Sequence, residues 1–153
     1  MFWGLPMASL LTLTFSQPTR PLKAGETLIN EGDPGGTLFV LESGKLAVER
    51  DGVAIATISE PGALVGEMSV LLGTSNTATV RAIEPSAVRV VRDALAYLER
   101  QPLVALRVAT ILSQRLDATS AILVEMRKGA PEKAPEQGII ARLFGSLMTG
   151  PAT

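Results

Sequence analysis

Residues 66–80 read GEMSVLLGTSNTATV, and the reading of this stretch decides the rest. A glycine and a carboxylate, Gly66 and Glu67, open it. One short helical turn follows, and a run of small polar residues then leads into a strand. Gly66 lets the backbone approach closely whatever the loop faces. Free N–H groups at a helix start near Met68 and Ser69 can cradle an anion, helped by the helix dipole. Glu67 can accept a hydrogen bond from a sugar hydroxyl. Thr77 and Ala78 would present a hydroxyl and a backbone N–H on the far side of the loop. Spacing alone leaves open a plainer reading of Glu67, as a solvated loop carboxylate.

Outward from this stretch, residues 10 to 92 read as all-β. Glycines punctuate short runs rich in β-branched and aliphatic residues. Residues 37–41 are apolar and extended. Residues 45–50 and 53–58 flank Asp51-Gly52, a strong hairpin signal. Residues 77–83 and 86–91 flank Glu84-Pro85 and are predicted to form a second hairpin. Leu11, Leu13 and Phe15 alternate and are predicted as the first strand. Several strands at roughly 8–12-residue spacing indicate a sandwich, barrel or jelly roll. Before them, residues 1–15 are largely apolar, but Pro6 interrupts the run and no basic flank precedes it. A bilayer span needs about 20 apolar residues, so a membrane span is not expected here. An interfacial anchor or an oligomer contact is the alternative to an ordinary structured start, with Trp3 a candidate to fill a neighbour's groove.

Beyond residue 92 the period changes. Asp93 is a candidate N-cap for a short helix. Pro102 can sit in the first turn of the next one. Residues 103–128 then run without Gly or Pro, with Leu106, Ala109, Leu112 and Leu116 at helical steps. Such a helix is longer than one small roll needs, so part of it is expected to pack on another chain or close over a ligand. The expected organisation is a roll with helices over 10–128, a linker over 129–138 and a short amphipathic tail over 139–153. Within the tail, residues 139–148 read as a helix docked back on the domain or as a partner contact. Its single basic residue, Arg142, gives poor support for an anionic membrane.

Composition excludes several classes. The chain has 153 residues, consistent with one domain. A net charge of −1 argues against nucleic acid as the main partner, since phosphate backbones need a basic surface. There is no His and no Cys. The usual metal-enzyme ligand set on a β-roll cannot then be assembled, and thiol or imidazole catalysis is absent, so no enzyme activity and no cofactor are expected. A cytoplasmic location is compatible with the missing cysteines.

The β-roll ending in GEMSVLL, then TATV, then a short and a long helix resembles the cyclic nucleotide-binding domain family, which includes the effector domain of the catabolite activator protein. The upstream run 31–46, EGDPGGTLFVLESGKL, is similar to that family's early glycine-rich hairpin. The resemblance covers residues 20–128 and implies a mainly β fold, a double-stranded β-helix or jelly roll followed by a short and a long α-helix. It also implies a ligand such as cAMP or cGMP. The phosphate would lie against Gly66, Glu67, Met68, Ser69, Thr77 and Ala78, with Glu67 on the ribose 2′-OH. A Thr77 hydroxyl contact to guanine would favour cGMP. In the long helix, Arg115, Thr119 and Ser120 match the segment that touches phosphate-side and base-side groups, with Ser120 reaching from a second subunit. Two plain alternatives stay open: helical Thr and Ser commonly bond back to a carbonyl one turn earlier, and Arg115 can be a surface residue.

The family pattern places Arg where this chain has Asn76. Arg81 and Arg115 are the candidates to supply the missing charge. The resemblance therefore implies a regulatory sensor of weak or altered nucleotide binding, acting as a homodimer through the helix at 103–128. The alternative is a degenerate roll that binds no nucleotide and serves as an interaction scaffold. Only 25 residues follow Lys128, and none form a visible basic recognition helix, so direct DNA binding is not expected.

Overall fold

The structure is a computed structural model and describes residues 9–129. Of the expected linker at 129–138, Gly129 belongs to the long helix and 130–138 lie outside the described residues, as do the tail at 139–153 and the first eight residues, with Trp3. The chain divides into two compact units after Ile111. The first holds two antiparallel four-stranded sheets. One runs in the order β1 (Thr19–Leu22), β8 (Ser86–Val91), β3 (Leu38–Ser43), β6 (Leu64–Val65). The other runs β2 (Thr27–Ile29), β7 (Thr79–Ala82), β4 (Leu46–Arg50), β5 (Val53–Ile58). Helices α1 (Leu10–Leu13), α2 (Glu67–Leu72), α3 (Ala94–Arg100) and α4 (Pro102–Gly129) complete the described chain. The expected β-roll followed by a short and a long helix is what forms.

The core lies between the sheets. Alternate residues point inward: Leu22, Phe39, Leu41, Val65, Val88 and Val90 from one sheet, and Leu28, Leu46, Val80 and Ala82 from the other. Burial of one such aliphatic side chain stabilises by about 1.5–3 kcal/mol. The two opposed apolar faces are therefore what makes the roll fold. β3 is buried on both faces, because Leu38 and Val40 are also fully covered and α1 packs on this strand.

Three expectations need correction. Leu11, Leu13 and Phe15 do not form a strand. Ser9 caps a single helical turn by accepting from the Thr12 N–H at 3.3 Å, Leu10 is the buried residue, and Phe15 is exposed. The first strand is Thr19–Leu22, an edge strand that tolerates Pro21. The second predicted hairpin does not pair with itself: β7 pairs β2 and β4, whereas β8 pairs β1 and β3. Both strands carry inward apolar residues that must face each other across the core, so Glu84-Pro85 crosses between layers. The buried Ser86 hydroxyl holds that corner, donating to Glu84 O at 2.8 Å and accepting from Lys45 N–H at 3.0 Å. Asp93 takes the N-cap position of α3 as expected, but at a left-handed φ of 50° and without the side-chain capping bond. The Ala94 N–H instead donates to Gly36 O at 3.1 Å.

The Asp51-Gly52 hairpin forms as expected, with Arg50 opposite Val53. The long helix spans 28 residues with Pro102 at its first position, where its missing N–H costs nothing. Val104 and Val108 are its buried residues.

One polar node ties α1, β1, β3 and β8 together. Arg89 donates to Glu42 at 2.7 Å and to Leu11 O, and the Thr19 hydroxyl donates to the same carboxylate at 2.7 Å. The Thr19 hydrogen bond, then Arg89, hold the Glu42 carboxyl below its ordinary value. A depressed carboxylate adds stability above its unfolded pKa and loses it as pH falls through the folded one. Glu42→Gln should lower unfolding stability by about 1–2 kcal/mol near neutrality, with the wild-type advantage vanishing under acid. Urea melts at neutral and acid pH measure this, and an equal deficit at both would contradict it.

Candidate functional site

The stretch singled out in the sequence forms a loop that leaves β6, turns through α2 and enters β7. Gly66 starts it at φ 86°, a left-handed conformation that other residues rarely adopt. A Cβ there would meet Thr37 O at 2.7 Å, with the Ile29 and Phe39 side chains at 3.6 Å. The loop thus begins with backbone packed on backbone, beside the core residues Ile29 and Phe39.

Glu67 is buried and partnered within the protein, so it is not a solvated loop carboxylate. Met68 is exposed. The Ser69 hydroxyl donates to Gly66 O at 3.0 Å and closes the turn. That hydroxyl is therefore occupied in shaping the loop, and the backbone N–H groups of the first turn remain the cradle's donors. Gly35 presses on the same turn: a Cβ there would come within 2.3 Å of the Ser69 side chain.

The loop is fastened to a second one that spacing did not reveal. The Gly32 N–H donates to Asn76 O at 2.9 Å, and the Asn76 N–H donates to Asp33 O at 2.9 Å. The Asn76 side-chain amide adds longer bonds to Asn30 O and Pro34 O, both at 3.4 Å. Next to this clasp, the Glu31 N–H donates to the Thr79 hydroxyl at 3.1 Å. The Glu31 carboxylate accepts from the Asp51 N–H at 3.2 Å in the β4–β5 turn. The glycine-rich run at 31–36 is the signal in the sequence that could have located this partner loop.

Asn76 thus points its donors at protein carbonyls. Thr77 and Ala78 follow it half-buried, and the Thr77 hydroxyl makes no hydrogen bond among the described residues. Arg81 does not supply the missing charge. It alternates with the core residues Val80 and Ala82, stands on the outer face of β7 and meets Glu49 at 3.5 Å.

Arg115, Thr119 and Ser120 lie on α4 in the second unit. Arg115 is exposed and partnered. Thr119 and Ser120 make no side-chain hydrogen bond to the preceding turn, whereas Thr110 does, to Leu106 O at 2.9 Å. Their hydroxyls are therefore available. No group of three or more His, Cys, Asp or Glu side chains able to hold a metal occurs among the described residues. No helix among them is long and apolar enough to cross a membrane.

The sequence pattern described as "Cyclic nucleotide-binding domain" matches residues 19–97, just over half of the chain. The chain belongs to the cyclic nucleotide-binding domain family. This domain is 40% identical over 117 residues to the acetyltransferase Pat of Mycolicibacterium smegmatis, covering 72% of this chain and 35% of that one. It is 29% identical to a CRP-like cAMP-activated global transcriptional regulator of Mycobacterium tuberculosis, over 98% of this chain and 70% of that protein. Among solved structures it resembles the catabolite activator protein of Thermus thermophilus, with a TM-score of 0.65 and 29% identity over 82% of this chain and 62% of that one. The domain therefore spans about a third of Pat's length.

The clasp has a measurable cost if broken. Two long neutral hydrogen bonds sit at the low end of their usual contribution, so Asn76→Ala should destabilise the domain by about 1 kcal/mol. Ser75→Ala next to it should change stability by less than about 0.5 kcal/mol. Chemical denaturation of both variants tests this, and equal effects would show that the Asn76 amide holds nothing.

Proposed function

We propose that this domain is a regulatory sensor whose loop at 66–78 takes a cyclic nucleotide with weak or altered affinity. The observation that carries the reading is the pre-shaped loop: Gly66 in its left-handed conformation, Glu67 buried beside it, and the clasp through Asn76. The backbone N–H groups of the first turn would face the cyclic phosphate, and Glu67 would accept the ribose 2′-OH. The open Thr77 hydroxyl suits a guanine contact. Thr119 and Ser120 would meet the base.

Affinity would be lowered for a stated reason. A charge-assisted hydrogen bond contributes about 1.5–3 kcal/mol, so replacing Arg by a neutral amide weakens binding by roughly ten- to a few hundred-fold. Arg81 offers no compensation, being turned outward onto Glu49. Ligand capture would be passed along α4 to a second copy of the chain. Leu106, Ile122 and Met126 are exposed on that helix, at 56%, 60% and 61%, and such apolar surface suits a helix–helix contact. The module would act by binding, in the cytoplasm, without catalysis, cofactor or direct contact to nucleic acid.

Calorimetry with cAMP and cGMP tests the reading on the wild type, Glu67→Ala and Asn76→Arg. Sub-millimolar binding by the wild type, abolished in Glu67→Ala, is expected. Binding by Asn76→Arg alone would identify a decayed site and favour the scaffold role. No binding by either would remove the nucleotide from the account.

A further inference from the structure

A cavity of about 470 Å³ opens beside β1, and none of residues 66–78 line it. Its floor is the Phe39–Val90 cross-strand pair of β3 and β8. Its rim carries two guanidinium groups. Arg20 pairs with the core residue Val88, so it stands on the inward face of β1 just past the point where the core ends. Arg92 comes directly after β8, in the bend before α3, and also lines the cavity. Arg20 shares its charge with Glu26 at 3.0 Å. The Arg92 side chain makes no hydrogen bond or ion pair among the described residues.

We propose that this cavity is a ligand site for a small organic anion: one carboxylate or phosphate head held by Arg92 and Arg20, and a short apolar body on Phe39 and Val90. Three observations favour that chemistry. The volume lies within the range of about 300–1,000 Å³ typical of small-molecule sites. An apolar floor with a few convergent polar groups is the usual lining of such sites. The charge at the rim is two guanidiniums against one carboxylate, and a guanidinium fork matches carboxylate and phosphate oxygens.

The site also adjoins the cradle. Thr37 and Phe39 line this cavity; a Cβ on Gly66 would strike the Thr37 carbonyl at 2.7 Å and would touch the Phe39 ring at an ordinary 3.6 Å. A molecule filling the cavity would lean on the strand that seats Gly66, so the amide of Gly66 should respond to it without being part of it.

Nuclear magnetic resonance titration of the full chain tests the proposal. Phenyl phosphate supplies head and body, and inorganic phosphate the head alone. Phenyl phosphate should shift the amides of Thr37, Val90 and Arg92 saturably and bind at least about ten-fold tighter than inorganic phosphate. Arg92→Gln should weaken it about ten-fold or more, with the amides of Leu46 and Val80 unmoved. Glu67 does not line this cavity, so binding here should be unaltered in Glu67→Ala. Equal affinity for the two probes, indifference to Arg92→Gln, or shifts that vanish in Glu67→Ala would each overturn the assignment.

Discussion

Two backbone hydrogen bonds, from the Gly32 N–H to Asn76 O and from the Asn76 N–H to Asp33 O, tie the recognition loop to the glycine-rich loop between β2 and β3. Everything distinctive about the site depends on that clasp. It seats Gly35 against the turn closed by Ser69 and brings Thr79 to the Glu31 N–H. Through the Glu31 carboxylate it also reaches the β4–β5 turn. A loop that would otherwise lose much conformational entropy on capturing a ligand is held in shape by the fold itself.

The roll makes the clasp possible. The two sheets face each other across an apolar core, and the chain changes layers at the corner held by Ser86. β7 pairs antiparallel with β2, so the loop leading into β7 lies against the loop leaving β2. Asn76 then has two meanings at once. At the position where the resemblance implies an arginine, it brings no charge. As a structural residue it bonds the facing carbonyls of Asn30 and Pro34. A guanidinium at this position would lose that amide clasp.

Much of this was legible in the sequence. The 66–80 motif, the Asp51-Gly52 turn and the helical period after residue 102 located the loop, a hairpin and the long helix, because each is a local signal. The misreadings were all non-local. The alternation at Leu11, Leu13 and Phe15 looked like a strand, but only Leu10 is drawn into the core. Glu84-Pro85 looked like a hairpin turn, because a sequence cannot say whether two neighbouring strands share a sheet or face each other across a core. Strand alternation left open which way Arg81 pointed, and the pairing with Glu49 decides it. Among the site residues, Gly66 and Glu67 were readable from their types. The role of Asn76 was not, because its partners lie more than forty positions away.

The central claim is that the clasp holds the recognition loop in its receptive shape before any ligand arrives, and amide hydrogen exchange on the ligand-free chain tests it most directly. The account predicts that the Gly32 and Asn76 amides exchange as slowly as the ladder amides of β7, because opening them requires separating the two loops. Exchange at the rate of exposed loop amides, with β7 still protected, would contradict it.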